Sequence, residues 1–197
     1  MSDTPELVVA DAAKWRGWLA ENHATSAGVR LVLAKKGTAG PTVLAHADAL
    51  SEALCYGWID GHITRRDDAT YCVRFTPRRA RSPWSKRNVE AVERLLAEGR
   101  MQPPGLVEVD RAKADGRWQK AYAGSASLEV PDDLRAALAA SAEAKAMWDV
   151  LTRTNKFAVV YRVQDAKRAD TRARRIQENV EMLARGDTPH PQKTKPA

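Results

Sequence analysis

Residues 58–76, WIDGHITRRDDATYCVRFT, decide the fold. Trp58–Ile63 and Thr70–Thr76 alternate apolar and polar side chains, the period-two signature of half-buried strands. Between them Thr64–Ala69 is a polar connection with turn chemistry, so the stretch reads as an antiparallel hairpin. In its first strand Ile59 and Ile63 share a face opposite Trp58, Asp60 and His62. In the second, Tyr71, Val73 and Phe75 share a face opposite Cys72, Arg74 and Thr76. Pairing the apolar faces puts Asp60, His62, Cys72 and Arg74 together on the other side. A carboxylate inside a strand needs a cation or backbone donors, so an Asp60–Arg74 bridge or a backbone clamp is expected.

Working outward, Glu6–Val9 reads as a short strand, and Asp11 caps a helix with Trp15, Trp18 and Leu19 at helical spacing. Gly28–Lys35 is a strand, and His46–Tyr56 is a helix stopped by Gly57. After the hairpin, Ser82-Pro83 is a cap followed by proline at a first helical position, predicting a helix to about Glu98. A shorter helix follows from Gly105 to about Asp115, and Gly124–Ser127 is the linker candidate. Beyond it the pattern is helical: Pro131–Ala140, a segment capped by Ser141, one preceded by Thr154, and one capped by Asp170 or Thr171 and closed by Gly186. The expected class is therefore α+β. A small antiparallel sheet with flanking helices occupies 1–123, an all-helical part follows over 124–187, and 188–197 is a disordered tail.

The 197 residues are 44% apolar and 29% charged, the balance of an ordinary soluble globular chain. No apolar run approaches the roughly 20 residues that span a bilayer. Asp3, Glu6, Asp11, Lys14, Arg16 and Glu21 leave no apolar block near the start, so a cytoplasmic setting without integral membrane association is expected. Cys55 and Cys72 are too few for a disulfide framework. His23, His46, His62 and His190 show no metal-ligand spacing, and no cofactor motif is present, so neither metal nor cofactor is expected.

Charge is focused. Residues 65–87 hold eight Lys/Arg against Asp67 and Asp68, nearly the whole chain's formal +7. A focused field points to an anionic partner. Arg74, Arg78 and Arg79 lie close in sequence to Trp84, and guanidinium groups both grip anions bidentately and stack on rings. The helix expected at Pro83 adds backbone donors, and Asn88 sits in its early turns. With Trp58 and Asp60 these form the candidate ligand site; the competing reading is a solvated basic loop. Cys55, His62, Arg172 and Arg175 are secondary candidates, the two arginines lying in a second basic stretch, 162–175. A reactive Cys55 would need a lowered pKa, which a helix C-terminus does not provide.

ALCYGWIDG, YCVRFTPRR with SPWSKRN, VERLLAEGRM and the closing AKRADTRARRI resemble the YdeI/OmpD-associated family, also called bacteriocin-protection or OmdA-type proteins, from about Val29 to Leu183. The resemblance implies a protective role, a porin partner and the periplasm, but supplies no catalytic residues. Ala45 departs from the family pattern, standing where relatives tend to carry a helix-capping Ser or Thr. Arg65 and Arg66 lie in a connection whose counterpart in relatives is variable.

Three functions are open. The first is a cytoplasmic protein that binds a small anion, an anionic peptide or an antimicrobial compound, with arginines fixing charge and Trp58 and Trp84 as walls. The second is a nucleic-acid binder using 65–87 and 162–175. The third is an enzyme with Asp60 as base or Cys55 as nucleophile. Spacing places no second carboxylate, histidine partner or cofactor motif, so the reading leans away from an enzyme.

Overall fold

The structure, a computed structural model, describes residues 4–38, 40–122 and 129–196. The chain divides into two compact units, Met1–Ala121 and Tyr122–Ala197. The linker candidate Gly124–Ser127 lies outside the described residues.

The first unit is α+β. Its strands are β1 (Glu6–Leu7), β2 (Val29–Ala34), β3 (Trp58–Arg65) and β4 (Thr70–Pro77), in spatial order β1-β2-β4-β3. The β2–β4 and β3–β4 ladders are antiparallel, and the short β1–β2 ladder is parallel. Helices α1 (Ala12–Asn22), α2 (His46–Cys55), α3 (Lys86–Ala97) and α4 (Pro103–Ala114) contribute to the same core. Asp11 caps α1 by accepting from the Lys14 amide at 2.9 Å. Trp15 meets Trp58 edge-on and lies 5.6 Å from Phe75, tying α1 to the core face of the sheet. Its indole also donates to the Ala49 carbonyl at 3.0 Å, so the one polar atom of this buried ring is paired.

Gly105 lets α4 approach the end of α2: a Cβ there would sit 2.3 Å from the Cys55 carbonyl oxygen. Glu52, buried on α2, holds Arg16 at 2.7 Å and Arg100 at 2.5 Å. Two guanidinium groups thus compensate one buried carboxylate, the condition under which such a charge is tolerated.

The hairpin forms where the sequence places it, but the start of β3, Trp58–Asp60, faces the other way. Asp60 pairs with Phe75 and Trp58 with Pro77, while Ile59 pairs with Thr76. Trp58 and Asp60 therefore lie on the core face, and Arg74, opposite Arg30, lies on the reverse. The expected Asp60–Arg74 bridge is not formed. Two features account for this. Trp58 has far more apolar surface to bury than Ile59, and an irregularity between Asp60 and Ile63 shifts the register so that Ile63 still meets Val73.

Helix α3 begins at Lys86, later than Ser82-Pro83 predicted. Its cap is Ser85, whose hydroxyl accepts from the Asn88 amide at 3.2 Å. The carbonyls that would open an earlier helix have other donors: Arg117 reaches Ser82 O at 2.8 Å and Arg78 reaches Pro83 O at 3.2 Å.

The second unit is helical: α5 (Asp132–Ala139), α6 (Ala142–Val150), α7 (Arg153–Gln164) and α8 (Ala169–Ala184). Leu134, Leu138, Met147, Trp148, Val159, Val160, Val163 and Leu183 form its core. Ser141 caps α6 as expected, whereas α7 is capped by Thr152 and α8 begins after Arg168.

The tail after α8 bonds to the second unit. Asn155 is fully buried, and its amide oxygen accepts from the His190 amide at 2.8 Å. Its nitrogen donates to His190 O and to Gln192 Oε1, and Gln192 donates in turn to Val150 O. Residues 188–196 carry no large apolar side chain, but a buried amide needs partners, and His190 and Gln192 supply them.

Candidate functional site

The fold disperses the residues expected to share a ligand site. Trp58 is 1% exposed, and its indole donates to His23 O at 3.2 Å. Trp84 is 2% exposed and lies 4.9 Å from Trp118. Neither ring presents a wall to a ligand. Arg78 is also buried, with its guanidinium flat over Trp84 at 3.7 Å, so it holds the loop to the core. Asn88 is buried at the start of α3. Arg74 and Arg79 are exposed, and His62 is exposed at the strand irregularity.

The secondary candidates are equally committed. Cys55 is fully buried, and burial followed by the charge of Glu52 pushes its thiol up, away from a nucleophilic thiolate. Arg172 grips both oxygens of Asp133 at 2.6 and 2.8 Å, and Arg175 holds Arg162 O and Asp165. Both are thus held by partners inside the second unit.

What sequence reasoning missed lies at one end of the sheet. Asp60 is bonded not to Arg74 but to His46, Oδ2 to Nε2 at 3.0 Å, with both side chains about three-quarters buried. His46 opens α2 and lines a recess of about 640 Å³ with Lys35, Lys36, Thr38, Val43, Ala45 and Tyr71. The local sequence builds it. Strand β2 ends at Ala34, Gly37 adopts φ +78, and the Thr38 hydroxyl closes the turn onto Lys35 O and Ala69 O at 2.8 Å each. Thr42 then brings the chain back by bonding Ala10 O and accepting from the Leu44 amide.

The charged side chains lining the recess are both lysines. Lys35 donates to the Asp67 carbonyl at 2.6 Å, a neutral acceptor. Lys36 is exposed and has no carboxylate partner among the described residues. Ala45, the residue before α2, makes no side-chain capping bond, and Asp48 is the acidic residue of the helix's first turn. Burial pushes the Tyr71 phenol up, leaving it a neutral hydroxyl. The one sequence signal was the missing cap at Ala45; the His46–Asp60 pair joins a helix start to a strand and has no spacing rule. No group of three His, Cys, Asp or Glu among the described residues could hold a metal ion.

Comparison with known proteins divides the chain in two. The family model described as a domain of unknown function (DUF8412) matches residues 7–108, over half of the chain. The model described as bacteriocin-protection, YdeI or OmpD-associated matches residues 127–186. The chain belongs to the DUF8412 family and carries a YdeI/OmpD-associated domain after it. Of the stretches that carried the resemblance, only AKRADTRARRI lies in the YdeI/OmpD-associated match; the hairpin and the recess fall within the other. No curated protein and no solved structure matches the chain.

Proposed function

We propose that the first unit is a small-anion-binding module and that its ligand enters the recess at the start of α2. The observation that carries this reading is the meeting of Lys35, Lys36, an uncapped helix N-terminus and an Asp60-held imidazole at one concavity. Anions are favoured where orphan backbone amides and ammonium groups point at one volume. The anionic ligand inferred from the basic segment is thus retained, but moved from the Arg78–Trp84 loop to the lysine corner. A thermal-shift series with phosphate, acetate, succinate and benzoate tests it. A saturating ligand at 100 times its Kd stabilises by about 2.7 kcal/mol, and Lys36→Glu should abolish the shift. No shift with any of these anions, or one unchanged by Lys36→Glu, would overturn the reading.

Protection against a bacteriocin is named in the description of the model over residues 127–186, and for this chain it belongs to the proposal. Cells producing the wild-type chain should survive bacteriocin challenge better than cells producing Lys36→Glu; equal survival counts against it.

One observation favours nucleic acid as a second reading. Arg30 and Arg74 stand directly opposite on neighbouring strands, a like-charge pairing that costs stability unless an anion lies between them. Against it, Glu6 already neutralises Arg30 at 3.5 Å. In the second basic stretch Arg162, Arg168, Arg172, Arg174 and Arg175 each have a carboxylate partner. Binding to random DNA that persists at physiological salt and is lost in Arg74→Glu would favour this reading.

A further inference from the structure

The recess carries more information than its charge, and the inference here rests on the anion-binding reading of that same site. We propose that its ligand is a small amphipathic carboxylic acid, with the carboxylate at Lys36 and the α2 N-terminus, an apolar body against Val43 and Tyr71, and one hydrogen bond to His46 Nδ1.

Three observations point to this class. Val43 is 79% exposed yet lines the recess. A large aliphatic side chain left open beside two lysines gains nothing from an inorganic anion, but loses its contact with water under an apolar ligand. Tyr71 shares that wall, and its ring is partly desolvated already. Next, the imidazole is oriented. Nε2 is bonded to Asp60, which fixes the ring plane and leaves Nδ1 with no protein partner among the described residues. A carboxylate bonded to one ring nitrogen commonly sets the direction of the other. Finally, a volume of about 640 Å³ lies within the range of about 300–1,000 Å³ typical of small-molecule sites.

Around the imidazole, Asp60 approaches from β3, Lys35, Lys36 and Tyr71 line the same recess, the Phe75 ring lies 6.5 Å away, and the carboxylate of Asp48 stands in the first turn of the same helix. Asp60 is the one carboxylate bonded to the ring. Lys35 and Lys36 are the charged side chains that line the recess, and the ligand carboxylate is assigned to them.

Titration calorimetry of the full chain with benzoate, acetate and inorganic phosphate tests the proposal. Benzoate should bind at least about tenfold tighter than acetate or phosphate, because only benzoate covers the apolar wall. Val43→Ser should remove that preference while leaving acetate unchanged. With Nε2 donating to Asp60, Nδ1 accepts, so 3-hydroxybenzoate, whose hydroxyl can donate to it, should bind tighter than benzoate in the wild type but not in His46→Gln, with unaltered folding by circular dichroism. The ¹⁵N resonance of His46 Nδ1 should shift on 3-hydroxybenzoate addition. If acetate or phosphate binds as tightly as benzoate, the amphipathic class is wrong and the anion site stands. If none of the three binds, both fail.

Discussion

Two cationic regions of the first unit, the arginine segment 74–81 and the lysine corner 35–38, are close in charge density and opposite in use. In the arginine segment the aromatic ring that made the pattern attractive is a core residue, and Arg78 lies flat on it with a backbone carbonyl as acceptor. Its exposed members, Arg74, Arg79 and Arg81, stand without the tryptophan walls that a pocket would need. At the lysine corner the charge is smaller, but a turn and an uncapped helix start make a concavity around it. The lesson is that arginine and tryptophan together describe a stacked structural clamp as readily as a ligand pocket. Concavity and uncommitted donors separate the two.

The largest test of this contrast is Trp84→Ala. As a core ring carrying Arg78, Trp84 should cost about 3–5 kcal/mol in urea denaturation when truncated. A loss under about 1 kcal/mol would mean the ring is a ligand wall and the contrast is false. Next comes Arg78→Lys, which keeps the charge but loses the planar stack. A decrease of about 1–2 kcal/mol is expected, measured the same way. Lys36→Ala should change stability by less than about 0.5 kcal/mol while removing the anion-induced thermal shift, since its role lies in binding and not in packing.

The smallest effect sharpens the comparison from the second unit, where arginines are neutralised by neighbouring carboxylates. The Arg172 guanidinium holds Asp133 below the usual carboxylate range. A carboxyl depressed in the folded state contributes stability that is present above its unfolded pKa and lost as pH falls through the folded value. The stability difference between wild type and Asp133→Asn should therefore shrink on acidification below the ordinary aspartate range. A difference independent of pH would show the pair to be inert.

Much of the fold was legible because it follows period and caps. The hairpin, the Asp11 and Ser141 caps, and the α+β and all-helical division rest on local chemistry. The face of the start of β3 was not legible, since alternation fixes which residues share a side but not which side is buried, and Trp58 outweighed Ile59. The start of α3 failed for a related reason: Ser82 and Pro83 carry local helix signals, yet their carbonyls are used by arginines distant from a helical ladder. The site was least legible of all. His46 and Asp60 are fourteen residues apart and meet only after β3 turns its face, and nothing in their spacing encodes that. The bonds between buried Asn155 and His190 were not legible either, since no apolar pattern announces such a contact.

Amide chemical-shift mapping during benzoate titration of the ¹⁵N-labelled full chain bears most directly on where anions bind. The account predicts perturbations concentrated at Lys35–Thr38, Ala45–His46 and Tyr71, with residues 78–88 still. Perturbations clustered instead at Arg74, Arg78, Arg79 and Trp84 would contradict it.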